Sequence, residues 1–158
     1  MSREVSGRYY EELKVGDVIR HSIRRTVTET DNLMFSVLTH NCQPLHLDEE
    51  FCKTTPYGTR IVNSIFTLGL VCGVSVQDLT LGTTLGNLGF GEVKFLTPVL
   101  IGDTIRTETE VIACRESKSR PDAGIVEFET RGYNQREQIV TRLRRFSLMI
   151  KLPATAAA

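Results

Sequence analysis

The segment 61–79, IVNSIFTLGLVCGVSVQDL, decides the fold of this chain. Its apolar residues fall on every face of a helix, and a helix that is hydrophobic all round is buried on all sides. Gly69 and Gly73, four residues apart, would let another backbone approach closely. Polar and small residues interrupt the segment too often for a membrane span. We therefore predict one long central helix, containing residues 64–76, that is buried on every side.

Segments with strand composition lie on both sides of this helix. Residues 18–27, VIRHSIRRTV, are rich in β-branched residues and predict a first strand. After the helix, segments separated by Gly, Pro, Asp or Asn turns predict three long strands, near 104–114, 125–133 and 139–150. A strand, a long helix and a run of strands indicate an antiparallel sheet that curls around the helix, which is an α+β fold.

A shorter helix is predicted between the first strand and the central helix. Thr28 and Asp31 are spaced as in a capping box, and an apolar face at helical spacing follows, so we predict a helix over 29–38. The residues of that face are Leu33, Met34, Val37 and Leu38. Pro44 disfavours helical geometry at the residue before it. The segment 39–46 is therefore predicted to be a loop.

Length, charge and cysteine usage limit the class of protein. The 158 residues suit one domain, 1–158, with an ordered core at about 9–152. Lys plus Arg and Asp plus Glu number 19 each, so no global field favours nucleic acid or a membrane as partner. The first residues contain no apolar leader, which predicts a cytoplasmic protein. The four cysteines lack metal-ligand spacing with histidine, so we expect no metal site and no disulfide.

Four motifs follow one another in the chain: YYEELKVGD at 9–17, THNCQPLHLD at 39–48, NSIFTLGLV at 63–71 and VKFLTPVLIGDTI at 93–105. Together they resemble the MaoC-like, or (R)-specific enoyl-CoA hydratase, family over residues 9–150. The resemblance implies a hot-dog fold, in which an antiparallel sheet wraps around a long central helix, and a homodimer formed through the sheets. The 39–48 loop, the helix start and the segment 115–128, RESKSRPDAGIVEF, are similar to itaconyl-CoA and mesaconyl-CoA hydratases, also described as β-methylmalyl-CoA dehydratases.

The resemblance also implies where the catalytic groups lie. In the family loop, an aspartate and a histidine five residues later share the acid–base chemistry. Here the histidine is His46, but Asn41 stands at the place of the aspartate. An imidazole can both take and give a proton near neutral pH, so we expect His46 to be catalytic and Asn41 to orient the attacking water. The alternatives are a loop histidine that only bonds the backbone and a turn asparagine.

Further residues are expected to contact the substrate. The first amides of a helix lack internal partners, so the backbone amide of Ser64 is expected to hold the thioester oxygen; the alternative for this serine is an N-cap. Asn63 and Gln43 are further expected substrate contacts. Arg60 would pair with a second substrate carboxylate, unless it is an exposed loop arginine.

Coenzyme A also carries phosphates, and a polar loop concentrates three cations that would bind them: Arg115, Lys118 and Arg120. A solvated hairpin loop is the alternative interpretation of this stretch. Metal and redox cofactors are not expected, because coenzyme A belongs to the substrate.

The predicted function is a hydratase or dehydratase that acts on short, branched dicarboxyl enoyl-CoA or 3-hydroxyacyl-CoA thioesters. Two other functions stay open. One is an acyl-CoA thioesterase of the hot-dog fold, which would release free thiol from a saturated acyl-CoA. The other is a non-catalytic acyl-CoA-binding protein, which the missing carboxylate makes plausible.

Overall fold

The computed structural model describes residues 7–153. A short 3-10 turn at Tyr10–Glu12 precedes the following strands and helices: β1 (Val18–Thr26), α1 (Glu29–Leu38), α2 (Pro44–Leu47), α3 (Glu49–Lys53), α4 (Ser64–Leu79), β2 (Thr84–Phe95), β3 (Thr104–Glu116), β4 (Ala123–Tyr133) and β5 (Ile139–Ile150). Residues 1–6 and 154–158 of the predicted 1–158 domain lie outside the described residues. No helix between residues 7 and 153 is long and apolar enough to cross a membrane.

The strands form one antiparallel sheet in the order β1-β3-β4-β5-β2, and α4 packs against β1, β3, β4 and β5. Alternate residues of β3 face α4 and are buried, as the two-residue period of a strand requires. Two apolar clusters fill the space between helix and sheet. Val62, Val71, Ile105 and Val140 belong to the cluster near the start of α4, and Leu79 to the cluster near its end. The predicted α+β fold is thus confirmed.

Several local predictions are also confirmed. β1 and α1 coincide with the predicted strand and helix, apart from Val27 at the end of the strand. At the start of α1, Thr28 Oγ1 accepts from the Asp31 amide at 3.2 Å, and an Asp31 carboxylate oxygen accepts from the Thr28 amide at 2.8 Å. These two bonds form the predicted capping box.

Two predictions about the chain path are wrong. The segment 39–46 is not all loop, because Pro44 begins the one-turn helix α2. A proline has no amide hydrogen to leave unbonded and suits the first position of a helix. Four long strands follow α4, and not three, because β2 was missed. β2 contains Gly86 and Gly89 at irregularities of its pairing with β5, and glycine weakens the strand signal.

The prediction that α4 is buried on all sides is wrong for the protomer. Ile65 is 56% exposed, and Gly69, Gly73 and Gln77 continue the same exposed strip along the helix. Apart from the neighbouring residues and the backbone of α4 itself, nothing in the described chain lies within 4 Å of a Cβ built on either glycine. One chain supplies a single sheet, and that sheet covers only one side of the helix. The close backbone approach expected at the two glycines therefore does not occur within the protomer.

The apolar face predicted for α1 is also directed away from the core. Leu33, Met34, Val37 and Leu38 are all exposed, whereas the buried residues of α1 are Asn32 and Ser36. These two polar residues are four apart and share one face of the helix. α1 therefore directs the hydrogen-bonding groups of Asn32 and Ser36 towards the start of α4, together with the ring of Phe35, which packs against Phe66.

Candidate active site

The start of α4 is held by a side-chain cap. Asn63 is the N-cap, and its Oδ1 accepts from the amide of Ile65 at 3.0 Å. The N-cap role considered for Ser64 therefore belongs to Asn63. In the part of the chain that the structure describes, no side chain accepts from the Ser64 amide, which lies at the positive end of the α4 dipole. This amide keeps the property expected of an oxyanion donor.

His46 lies in α2, and its side chain is nearly buried, with 8% of the residue exposed. Its ring Nδ1 lies 2.9 Å from the carbonyl oxygen of Ile61. A carbonyl oxygen can only accept, so Nδ1 carries the hydrogen of the neutral ring and Nε2 carries the lone pair. The structure thus fixes the tautomer that a base acting through Nε2 requires.

Asn32 joins the His46 segment to the start of α4. Its Nδ2 donates to the carbonyl oxygen of His46 at 2.9 Å, and its Oδ1 accepts from the amide of Asn63 at 2.9 Å. Ser36 lies one turn further along α1, with its hydroxyl 3.5 Å from Asn63 Nδ2. Neither Asn32 nor Ser36 was predicted as a site residue. Their spacing of four residues within α1 was the available signal.

Two clefts open beside the start of α4. The first, of about 230 Å³, is lined by Phe35, Thr39, Asn41, Asn63 and Ile65. The second, of about 260 Å³, is lined by Ser64, Ile61, Thr67 and Tyr57 together with residues that follow β2, from Leu96 to Val99. Carboxylates are absent from both linings. The structure brings Asn41, Asn63 and Ser64 to the clefts at the start of α4, whereas His46, held by α2, lines neither cleft.

Asn41 and Gln43 occupy the turn that leads into α2. Asn41 Oδ1 accepts from the amide of Gln43 at 3.1 Å, which is the turn contact considered for this asparagine. His40 precedes it with φ of 54°, a left-handed conformation that closes the turn after α1. The Gln43 side chain is exposed. The turn asparagine and the water-orienting asparagine are compatible, because the turn uses only one of the amide's two polar atoms.

Arg60 does not present a free charge in the structure. Its guanidinium lies 2.8 Å from a carboxylate oxygen of Glu29 and 2.9 Å from one of Glu49. The hydrogen bond from Arg60 lowers the pKa of Glu49. A substrate carboxylate would compete with these two glutamates for the guanidinium.

The predicted phosphate-binding cations lie far from His46 within one chain. Arg115, Lys118 and Arg120 belong to the end of β3 and the β3–β4 turn, at the sheet end that packs on the last residues of α4. His46 lies at the other end of this 16-residue helix, which spans about 24 Å. Arg120 also pairs with Asp122 at 2.7 Å. The protomer alone does not bring these cations to the site.

The aspartates nearest to His46 in sequence are committed to other contacts. Asp31 pairs with Arg25 at 2.7 Å, and the hydrogen bond from Arg25 lowers the pKa of Asp31 to about 2. Asp48 caps α3 through the amide of Phe51 at 2.9 Å. Among residues 7–153, no three His, Cys, Asp or Glu side chains are grouped as metal ligands. Neither aspartate therefore offers an uncommitted carboxylate to share the chemistry expected of His46.

Comparison with known proteins identifies the architecture and then the family. A double hot-dog protein of Mycobacterium tuberculosis superimposes with a TM-score of 0.83 at 20% identity, over 94% of this chain and 46% of that one. The fold is therefore a hot-dog fold. The family model described as "MaoC like domain" matches residues 11–132. The chain belongs to the MaoC-like family.

Two further proteins are similar to nearly the whole of this chain. A MaoC-like dehydratase of Rhodospirillum rubrum superimposes with a TM-score of 0.81 at 30% identity, over 93% of this chain and 99% of that one. The mesaconyl-CoA hydratase of Cereibacter sphaeroides is 31% identical over 97% of this chain. The chain spans only 44% of that relative's length.

Proposed function

We propose that the chain is a hydratase or dehydratase of short, branched dicarboxyl enoyl-CoA and 3-hydroxyacyl-CoA thioesters. The observation that carries the proposal is the fixed imidazole of His46, whose Nδ1 donates to the carbonyl oxygen of Ile61, so that Nε2 keeps the lone pair. Membership of the MaoC-like family and similarity to a mesaconyl-CoA hydratase support the reaction and the acyl class.

The proposed hydration needs one proton carrier. His46 Nε2 takes a proton from water as the water oxygen bonds to Cβ, and the resulting imidazolium then gives that proton to Cα. Water is thereby added across the double bond with no net proton gained or lost by the protein. Dehydration uses the same steps in reverse. Asn41, which lines the first cleft, orients the water by its amide.

The thioester oxygen gains negative charge between these two steps. The Ser64 amide donates to it in the proposed complex, helped by the positive end of the α4 dipole. One donor of this kind is worth about 3 kcal/mol to a transition state. Asn63, which lines the first cleft, and the exposed Gln43 are proposed to contact the acyl group. Arg60 is proposed to form an ion pair with the second carboxylate of the substrate, in competition with Glu29 and Glu49.

We further propose a homodimer formed through β2. β2 is an edge strand and exposes large apolar side chains: Leu85, Leu88, Phe90 and Phe95. An uncovered apolar edge of this kind favours association. A role of Arg115, Lys118 and Arg120 in binding coenzyme A phosphates requires a partner copy, because within one chain they lie far from His46. We propose that the partner copy places its own set of these three residues near His46.

A panel of purified CoA esters tests the proposed function. Mesaconyl-CoA and crotonyl-CoA should gain the mass of water, with the dicarboxyl ester preferred. Release of free thiol from a saturated acyl-CoA would instead identify a thioesterase. Tight binding of an ester without any turnover would identify a binding protein.

A further inference from the structure

The side chain of Asn32 is placed where it contacts both halves of the candidate site. It is 1% exposed, and its two amide atoms reach the backbone of His46 and the backbone of Asn63 at 2.9 Å each. Asn63 immediately precedes Ser64, whose amide is the proposed oxyanion donor. One side chain therefore spans the base and the helix start.

The chemistry of the two contacts requires an amide at this position. The carbonyl oxygen of His46 can only accept, and the amide of Asn63 can only donate. A side chain between them must donate on one side and accept on the other, at nearly the same distance from its Cβ. Asparagine does this in a fixed planar group, whereas a carboxylate or an aliphatic side chain satisfies at most one of the contacts.

We propose that Asn32 is a positioning residue that sets the separation between His46 and the Ser64 amide. This role rests on the proposed function. The acyl group must reach Nε2 and the oxyanion donor at once, so a displacement of about 1 Å between them costs on the order of 10²-fold in rate. Asn32 does not touch the reacting atoms; it holds the two backbone segments that carry them.

Two variants and one control test this role. In Asn32→Ala both contacts are lost, so kcat should fall about 10- to 100-fold while KM stays within about threefold. In Asn32→Asp the acceptor for the Asn63 amide remains, but a carboxylate oxygen faces the His46 carbonyl, so kcat should fall similarly. Asn134 is the matched control, because it is fully buried and its side chain makes hydrogen bonds within the β4–β5 turn. Asn134→Ala should keep kcat within about twofold.

Hydrogen exchange provides a readout that needs no substrate. The Asn63 amide should exchange slowly in the wild-type protein and in Asn32→Asp, and fast in Asn32→Ala. Fast exchange of this amide in the wild-type protein would refute the bridge even if neither variant folds.

The kinetic outcomes separate this role from the proposed function. A wild-type protein without hydratase activity overturns the proposed function, and the positioning role with it. An active wild-type protein whose folded Asn32→Ala variant keeps its kcat overturns the positioning role alone.

Discussion

Replacing His46 by asparagine separates its structural contact from its chemistry. The Nδ2 of an asparagine can occupy about the position of the ring Nδ1, so the hydrogen bond to the Ile61 carbonyl is retained. Nothing replaces Nε2. We expect kcat to fall by about 10²–10⁴, the usual contribution of a positioned acid–base group, with KM within about threefold of the wild-type value. The free energy of unfolding should stay close to that of the wild-type protein.

His46→Ala is the matched comparison. It removes Nε2 and also leaves the partly buried Ile61 carbonyl without its 2.9 Å donor, which costs about 1 kcal/mol of stability. The two variants should therefore lose similar activity but differ in urea midpoint. Steady-state hydration of mesaconyl-CoA and urea unfolding measure the two quantities.

Turnover by folded His46→Asn within about threefold of the wild-type rate would show that His46 does not carry the proton. Another group would then carry the proton, although Asp31 and Asp48, the nearest aspartates in sequence, are occupied by Arg25 and by the α3 cap. Their alanine variants would be the next to measure.

Asn41→Ala should lower kcat about tenfold, the effect of losing a neutral hydrogen bond of about 1 kcal/mol, and Asn41→Asp should keep or moderately reduce kcat while its pH profile gains an acidic limb. Arg60→Ala should raise KM for a dicarboxyl ester more than for crotonyl-CoA; equal changes would remove Arg60 from the pocket. Arg25 lowers the pKa of Asp31 from 3.8 to about 2, so their pair stabilises the fold above pH 4 and ceases to do so as pH falls through about 2. Arg25→Ala should therefore cost about 1 kcal/mol or less in urea unfolding at pH 7 and almost nothing at pH 2. In sedimentation the wild-type protein should be a dimer and Leu88→Glu a monomer. A Leu88→Glu protein that stays dimeric would place the interface elsewhere.

Much of the fold could be predicted because the signals are local and repeated. The capping box of Thr28 and the two-residue alternation of β3 depend only on neighbouring residues. β2 was missed because its glycines dilute the strand pattern and its apolar side chains are exposed in the protomer. The exposed strip of α4 could not be predicted either, since an apolar surface looks the same in a sequence whether its own chain or a partner covers it.

A candidate site residue could be predicted where the residue type itself suggests the chemistry, and not where only the folded geometry does; the catalytic role of His46 stays a prediction. His46 could be proposed from the loop that contains it. Asn32 could not, because its importance comes from contacts 14 and 31 residues away in sequence. The opposite problem arises for three predicted phosphate-binding cations: Arg115, Lys118 and Arg120. Their charge suggested a ligand, but the fold places them beyond the far end of α4.

Asn41 gives the site one titratable group fewer than the aspartate of the family loop would, and the turn can have the same backbone with either residue. Its Oδ1 accepts from the Gln43 amide, and an aspartate oxygen can make the same turn contact. Asn41→Asp should therefore preserve the backbone of the turn and add only a charge and a titratable group. An altered turn in this variant would mean that the amide is structural. An intact turn with an acidic limb in the pH profile would mean that the new carboxylate takes part in the reaction. The native protein, with an amide at this position, would then have to transfer protons through His46.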